Sequence, residues 1–190
     1  LAKVPVLGGA PVPIARQSER PAGATWGADG TIVFATAEGL FRVSENGGEP
    51  QMLAKPDRAT KERLYAWPQF MPDGQFVLFT VVPEGAIDGA QIAMLDLQTL
   101  QTTIVLTGGA AARYASSGHL LYASGQSLKA VAFDARTRMA RGDPVSLPGI
   151  AVSTRADNGA TQFAVSASGT LVSLAPSDPG VGLRTLAWVD

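Results

Sequence analysis

The sequence predicts an all-β fold, a β-propeller of four-stranded antiparallel blades with about four blades in these residues. Three observations carry that expectation. A strand–turn–strand unit recurs at a long, nearly constant period, each copy turns on a glycine, and a second hairpin recurs in step with the first. Four short strands repeated about every 40 to 50 residues is the period of a propeller blade. The repetition has a physical reason. A twisted sheet that is apolar on both faces cannot bury them alone, and stacking it against copies of itself does so.

The clearest copy is Trp67-Pro68-Gln69-Phe70-Met71-Pro72-Asp73-Gly74-Gln75-Phe76-Val77-Leu78-Phe79-Thr80. Gly74 supplies the positive φ of a tight turn, and Asp73 can bond its own backbone beside it. β-Branched and aromatic residues on either side favour a buried, pleated surface. Asp29-Gly30 lies 44 residues before Asp73-Gly74, Ser117-Gly118 lies 44 after it, and Ser168-Gly169 follows after a further 51. Four residues before each glycine stands an apolar side chain, Trp26, Phe70, Tyr114 or Val165, and an apolar run follows each turn. Third strands are expected at Leu40–Val43, Gln91–Leu97, Leu128–Phe133 and Thr185–Val189. Fourth strands are expected at Gln51–Leu53, Thr102–Leu106 and Val145–Leu147.

Residues Leu1–Ala15 align without a gap on Leu40–Ala54, with leucine, valine, Gly-Gly, proline and a final alanine coinciding. They read as the outer hairpin of an incomplete blade at 1–15. Blades are then expected at 24–55, 65–106 and 112–148, with an incomplete one at 151–190, all in a single propeller region spanning 1–190. Sheets left unfinished at both ends would expose apolar faces and strand edges. The expected remedy is a larger ring of which this is an arc, or a second copy completing the ring.

The 190 residues are 46% hydrophobic and 16% charged, which suits a well-buried core, and 21 glycines with 13 prolines suit a turn-rich protein. A net charge of −1 gives no electrostatic basis for binding nucleic acid or an anionic membrane. Without cysteine there is no disulfide, thiolate or Cys-ligated zinc, and the compartment is left unspecified. The uncharged stretch Asn158–Ser177 alternates polar and apolar residues and contains Gly169 and Pro176, so it reads as a hairpin rather than a membrane span.

Catalytic motifs are missing from the sequence: there is no phosphate-binding Gly-x-x-x-x-Gly-Lys-Ser/Thr, no Gly-x-Ser-x-Gly elbow and no His-Glu-x-x-His. The single histidine, His119, sits beside the Ser117-Gly118 turn, where a sheltered triad is not expected. No catalytic residue, cofactor or metal ligand is therefore assigned. Arg136, Arg138 and Arg141, flanked by Asp134 and Asp143, read as a solvated hairpin. Trp26, Phe70 and Tyr114 read as blade packing in preference to an aromatic cage.

Loop lengths point to a binding face. In a propeller the second connection of each blade and the crossing between blades share one rim. Here those loops are uneven and charged, and they carry Arg58, Lys61, Glu62, Arg63, Glu84, Asp88, Arg155 and Asp157. Uneven loops on a rigid scaffold are where recognition concentrates. These eight residues are the candidate binding-face residues.

The combination Trp67–Gly74, Ile92-Ala93-Met94-Leu95-Asp96-Leu97, Ala112-Arg113-Tyr114 and Ser117–Ala123 resembles the WD40-like repeats of TolB-type bacterial propellers. It is most similar to the propeller at the C-terminal side of bacterial eukaryotic-like serine/threonine protein kinases. The resemblance implies a sensor or protein-interaction platform on the extracytoplasmic side of the membrane, with a protein or peptide partner. The kinase's own motifs are not in this sequence, so phosphoryl transfer would belong to residues outside it. The competing expectation is a propeller-scaffold enzyme, a hydrolase or lyase, or the gating propeller of a prolyl-oligopeptidase-type peptidase.

Overall fold

A computed structural model of the protein describes residues 1–16, 20–166 and 168–174. Sixteen strands form three four-stranded antiparallel sheets and two two-stranded hairpins among these residues. The first hairpin pairs β1 (Ala2–Lys3) with β2 (Val12–Pro13). The first sheet runs β3 (Ala24–Trp26), β4 (Thr31–Thr36), β5 (Gly39–Ser44) and β6 (Gln51–Ala54). The second runs β7 (Glu62–Phe70), β8 (Phe76–Pro83), β9 (Gln91–Asp96) and β10 (Thr102–Thr107). The third runs β11 (Ala110–Ala115), β12 (His119–Ser124), β13 (Ser127–Asp134) and β14 (Met139–Ala151). The last hairpin pairs β15 (Phe163–Val165) with β16 (Leu171–Ser173). The expected strand at Thr185–Val189 and the loop at Pro176–Leu183 lie outside the described residues.

Each sheet is a simple meander, and consecutive sheets lie face to face around an axis. The inner strand β7 leans on β3, β4 and β5, and β11 leans in the same way on β7, β8 and β9, with β15 beside it. The apolar side chains divide accordingly. Val33, Ala35 and Leu40 meet Tyr65, Val77 and Phe79 between the first two sheets. Leu78, Ile92 and Met94 meet Leu120, Tyr122 and Val131 between the next two, and Ala111, Ala123 and Leu128 meet Val152 and Phe163 beyond them. Alternation along β8 sends Val77, Phe79 and Val81 to one neighbour and Leu78 to the other, which is why all of it but Thr80 is apolar. Ile14 of the first hairpin covers Ile32, Phe34 and Val43 on the outer side of the first sheet.

The repeated turns share atomic detail. Gly30, Gly74 and Gly118 donate their N–H groups to the carbonyls of Gly27, Met71 and Ala115 at 2.9 to 3.1 Å. The two Gly-Gly hairpins match as well, with Gly8 donating to Pro5 at 3.0 Å and Gly47 to Ser44 at 2.9 Å. A third repeated hairpin joins the outer strands. Asp96 accepts the N–H groups of Gln98 and Thr99, and Asp134 those of Arg136 and Thr137. Leu100 (φ 58°) and Arg138 (φ 59°) then close the two turns in the left-handed region.

A bulge recurs within the inner strands. Trp67 and Pro68 face a single residue of β8, and Ala111 and Ala112 face a single residue of β12. Trp67 (φ 56°) and Ala111 (φ 54°) adopt positive φ there, as does Gly23 (φ 104°) at the corresponding place before β3. The bulge frees backbone donors, and neighbouring sheets take them. Trp67 N–H bonds the Ala22 carbonyl at 2.7 Å, and Ala111 N–H bonds the fully buried Thr80 Oγ1 at 2.8 Å.

Candidate binding face

The connection from the first sheet to the second is built by local bonding. Asp57 accepts the N–H of Ala59 at 2.9 Å and caps the short 3-10 turn Arg58–Thr60, and Lys61 ends it at φ 60°. Glu62 Oε2 accepts two donors, the N–H of Asp57 at 2.9 Å and the hydroxyl of Tyr65 at 2.6 Å. Burial and the Glu62 carboxylate both push the Tyr65 phenol well above its ordinary value. The Lys61 carbonyl accepts Glu84 N–H at 2.8 Å, tying this connection to the loop between β8 and β9.

The third contributor arrives from far along the chain. Residues 153–160 fold back over the third sheet as a closed loop, pinned by a Thr154–Thr161 bridge and by Arg155 N–H to the Ala160 carbonyl at 2.9 Å. At its tip the Arg155 guanidinium forks onto the Asp157 carboxylate at 2.9 and 2.8 Å. The pair lowers the Asp157 pKa and raises that of Arg155. Arg63 donates to the carbonyls of Pro83 and Asp157, and Trp67 Nε1 donates to the Asn158 carbonyl at 2.7 Å. Behind the loop, a Cβ on Gly159 would lie 3.1 Å from Ala110 Cβ and 3.4 Å from Ile87 Cδ1.

Six candidate residues thus fall in two bonded clusters, Arg58 with Glu62 and Glu84, and Arg63 with Arg155 and Asp157, and Lys61 joins the first through its backbone. The Arg58–Glu84 pair is long, 4.0 Å, with both side chains more than half exposed. Such pairs contribute about 0–1 kcal/mol. Asp88 stands apart in the 3-10 turn Ile87–Gly89. It borders an open cleft of about 590 Å³ whose wall includes Gly108, Gly109, Ser124, Gln126, Ser153 and Thr154. The sequence reading missed Trp67, Asn158 and Thr154, which position the face rather than decorate it.

Elsewhere the histidine, the arginines of the β13–β14 hairpin and the recurring aromatics are locally occupied. His119 Nδ1 lies 3.1 Å from Ser117 Oγ and 3.0 Å from the Ser117 carbonyl, within its own exposed turn. Arg141 pairs with Asp134, and Arg138 stacks over the Phe76 ring at 4.8 Å. Phe70 and Tyr114 pack between sheets, while Trp26 is 52% exposed and donates its indole N–H to Glu45 at 3.0 Å. Among the described residues no group of three His, Asp or Glu side chains is placed to hold a metal ion.

This arrangement of meandering sheets stacked about an axis matches solved structures. TolB from Acinetobacter baumannii superposes with a TM-score of 0.65 at 18% identity, over 93% of this chain and 43% of that one. The fold is a TolB-like β-propeller. Regucalcin from Agrobacterium tumefaciens, a calcium-binding protein, gives 0.59 at 11% identity over 83% of this chain and 54% of that one. An oligogalacturonate lyase in complex with manganese gives 0.54 at 12% identity, over 73% and 40%. The chain spans about half the length of these structures or less, and at such identities the likeness is one of fold. No family model and no curated protein matches the chain.

Proposed function

We propose that this propeller is a non-catalytic binding module that receives a protein or peptide on the rim carrying Arg58, Lys61, Glu62, Arg63, Glu84, Asp88, Arg155 and Asp157. The observation that carries the reading is a contrast within that rim. Its backbone is held firmly, through Trp67 to Asn158, Arg63 to Pro83 and Asp157, and Lys61 to Glu84. Its two ion pairs, Arg58–Glu84 and Arg155–Asp157, are exposed and of little energy. A rigid platform with exchangeable charges loses little order on binding and can re-pair its side chains with a partner of mixed charge. The hydroxyl- and glycine-lined cleft beside Asp88 suits an extended peptide segment.

The test is a comparison of rims. Lys61→Glu with Arg155→Glu should abolish capture of partners identified with the wild-type chain, while Arg136→Glu on the opposite rim should leave it intact. Equal capture by both variants would overturn the assignment.

The finer reading is a sensor region of a kinase-type protein outside a bacterial membrane, with a second copy or further blades completing the ring. It rests on the sequence resemblance. No helix among the described residues is long and apolar enough to cross a membrane. The solution mass of the 190-residue chain tests the pairing: a dimer supports completion by a second copy, and a monomer contradicts it. The scaffold shared with a lyase makes hydrolase or lyase activity the competing reading, and saturable, metal-dependent turnover of an oligosaccharide would favour it.

A further inference from the structure

The inner strands clasp one another through a repeated position five residues before each turn glycine. Thr25 Oγ1 accepts the N–H of Phe70 at 3.2 Å, and Gln69 Oε1 accepts the N–H of Tyr114 at 2.8 Å. Each clasp spans 45 residues and joins one inner strand to the next. The third member of the series is Arg113, and the N–H it should serve is that of Val165. An arginine has five donors and no acceptor, so it cannot make this bond.

The repeat therefore puts two donors and no acceptor at its third position. Ser166 N–H bonds the Thr170 carbonyl and Leu174 N–H bonds the Gln162 carbonyl, both at 2.9 Å. The alternation of an antiparallel ladder then pairs Ala164 with Val172 and turns the Val165 N–H away from β16, and β11 is the inner strand in contact with β15. No side chain among the described residues accepts it. Arg113 is half-buried, and among the described residues its guanidinium bonds only the neighbouring Ala112 carbonyl, at 3.0 Å, with no carboxylate within 4.0 Å. Burial lowers its pKa, as expected for a cation short of partners.

We infer that the Arg113 guanidinium and the Val165 N–H together form a site for a small oxyanion, a carboxylate in particular, between the inner strands of the third sheet and the last hairpin. The guanidinium fork takes two oxygens of a planar carboxylate side by side, and the amide caps one of them. The bound oxygen replaces the acceptor that Thr25 and Gln69 supply at the two earlier positions. This site is separate from the loop-bearing rim and does not depend on the function proposed for it.

The experiment is an amide and arginine Nε–H NMR titration of the 190-residue chain with sodium acetate, and separately with inorganic phosphate, at ionic strength fixed by chloride. The expected result is a saturable shift of both Arg113 Nε–H and Val165 N–H. A stronger response to acetate assigns a carboxylate, and a stronger response to phosphate assigns a tetrahedral oxyanion at the same atoms. Arg113→Gln restores the acceptor found at Gln69, so it should abolish the response and slow hydrogen exchange at Val165. Arg113→Lys keeps the charge without the fork and should weaken acetate binding at least fivefold. The inference is overturned if neither anion gives a saturable shift, if the response survives in Arg113→Gln, or if Arg113→Lys binds as tightly as wild type.

Discussion

The indole N–H of Trp67 donates to the carbonyl of Asn158 at 2.7 Å, joining the inner strand of the second sheet to a loop 91 residues away. The same tryptophan covers Gly23, where a Cβ would lie 2.9 Å from its Cε3 atom, and its own N–H bonds Ala22. One residue thus touches the first sheet, the second sheet and the loop following the third. Its left-handed φ is the backbone cost of that placement, about 1–3 kcal/mol at a non-glycine residue.

Trp67→Phe keeps most of the packing and removes the donor. The Asn158 carbonyl loses its partner at a cost of about 1 kcal/mol. Limited proteolysis at Arg155 should become faster while cleavage at Arg136 stays unchanged. Equal protection of the 153–160 loop in wild type and variant would contradict its attachment to Trp67.

Thr80→Val tests the buried bond between sheets. The shapes are nearly the same, yet the Ala111 N–H is left without its acceptor in a site where Thr80 is fully buried. A loss of about 1–3 kcal/mol is expected by denaturant unfolding. Gln69→Leu should cost a similar amount by stranding the Tyr114 N–H. A neutral result for both would remove the clasps from the account.

Two glycines should fail differently. At Gly74 (φ 68°) an added Cβ meets nothing within 4 Å, so Gly74→Val carries only the strain of positive φ, about 1–3 kcal/mol. At Gly109 an added Cβ would lie 2.3 Å from Cδ2 of Tyr122, a ring buried between sheets. Gly109→Ala should therefore destabilise as much as Gly74→Val or more, despite the smaller side chain. Thermal unfolding of the two variants side by side checks the order.

The pH dependence of stability follows from named groups. Tyr65, buried and facing Glu62, and Tyr122, buried, both have raised pKa values, so the stability they confer is complete below the ordinary tyrosine value of 10.0. It is lost as the pH climbs above that value, because the unfolded chain then releases protons that the folded one retains. Asp29, Asp96 and Asp134 are lowered by the turn N–H groups they accept, of Thr31, Thr99 and Thr137 first. Their contribution is present above 3.8 and lost as the pH falls through it. Tm measured across pH should hold a plateau between these limits, and Tyr65→Phe should flatten its alkaline side.

What was legible in the sequence was what turn chemistry writes in fixed letters. Asp29-Gly30, Asp73-Gly74 and Ser117-Gly118 require particular residues, so the period could be counted, and the alternating apolar runs followed from it. The bulge at Gly23, Trp67 and Ala111 was not legible, although it has the same 44-residue spacing. It demands a backbone angle that three unrelated residues supply, and so leaves no repeated letter. The uneven, charged loops could be named from the sequence, but the bonds within them could not. The attachment of 153–160 to Trp67 and Arg63 is made through main-chain carbonyls, which any residue provides.

The most direct test of radial stacking is a set of side-chain NOEs in the 190-residue chain. Radial stacking predicts contacts from Val77 and Phe79 to Val33 and Leu40, and from Leu78 to Leu120 and Tyr122, so that the two faces of β8 see different neighbouring sheets. NOEs from Val33 or Leu40 directly to Leu120 would place the first sheet against the third in a two-layer sandwich and contradict it.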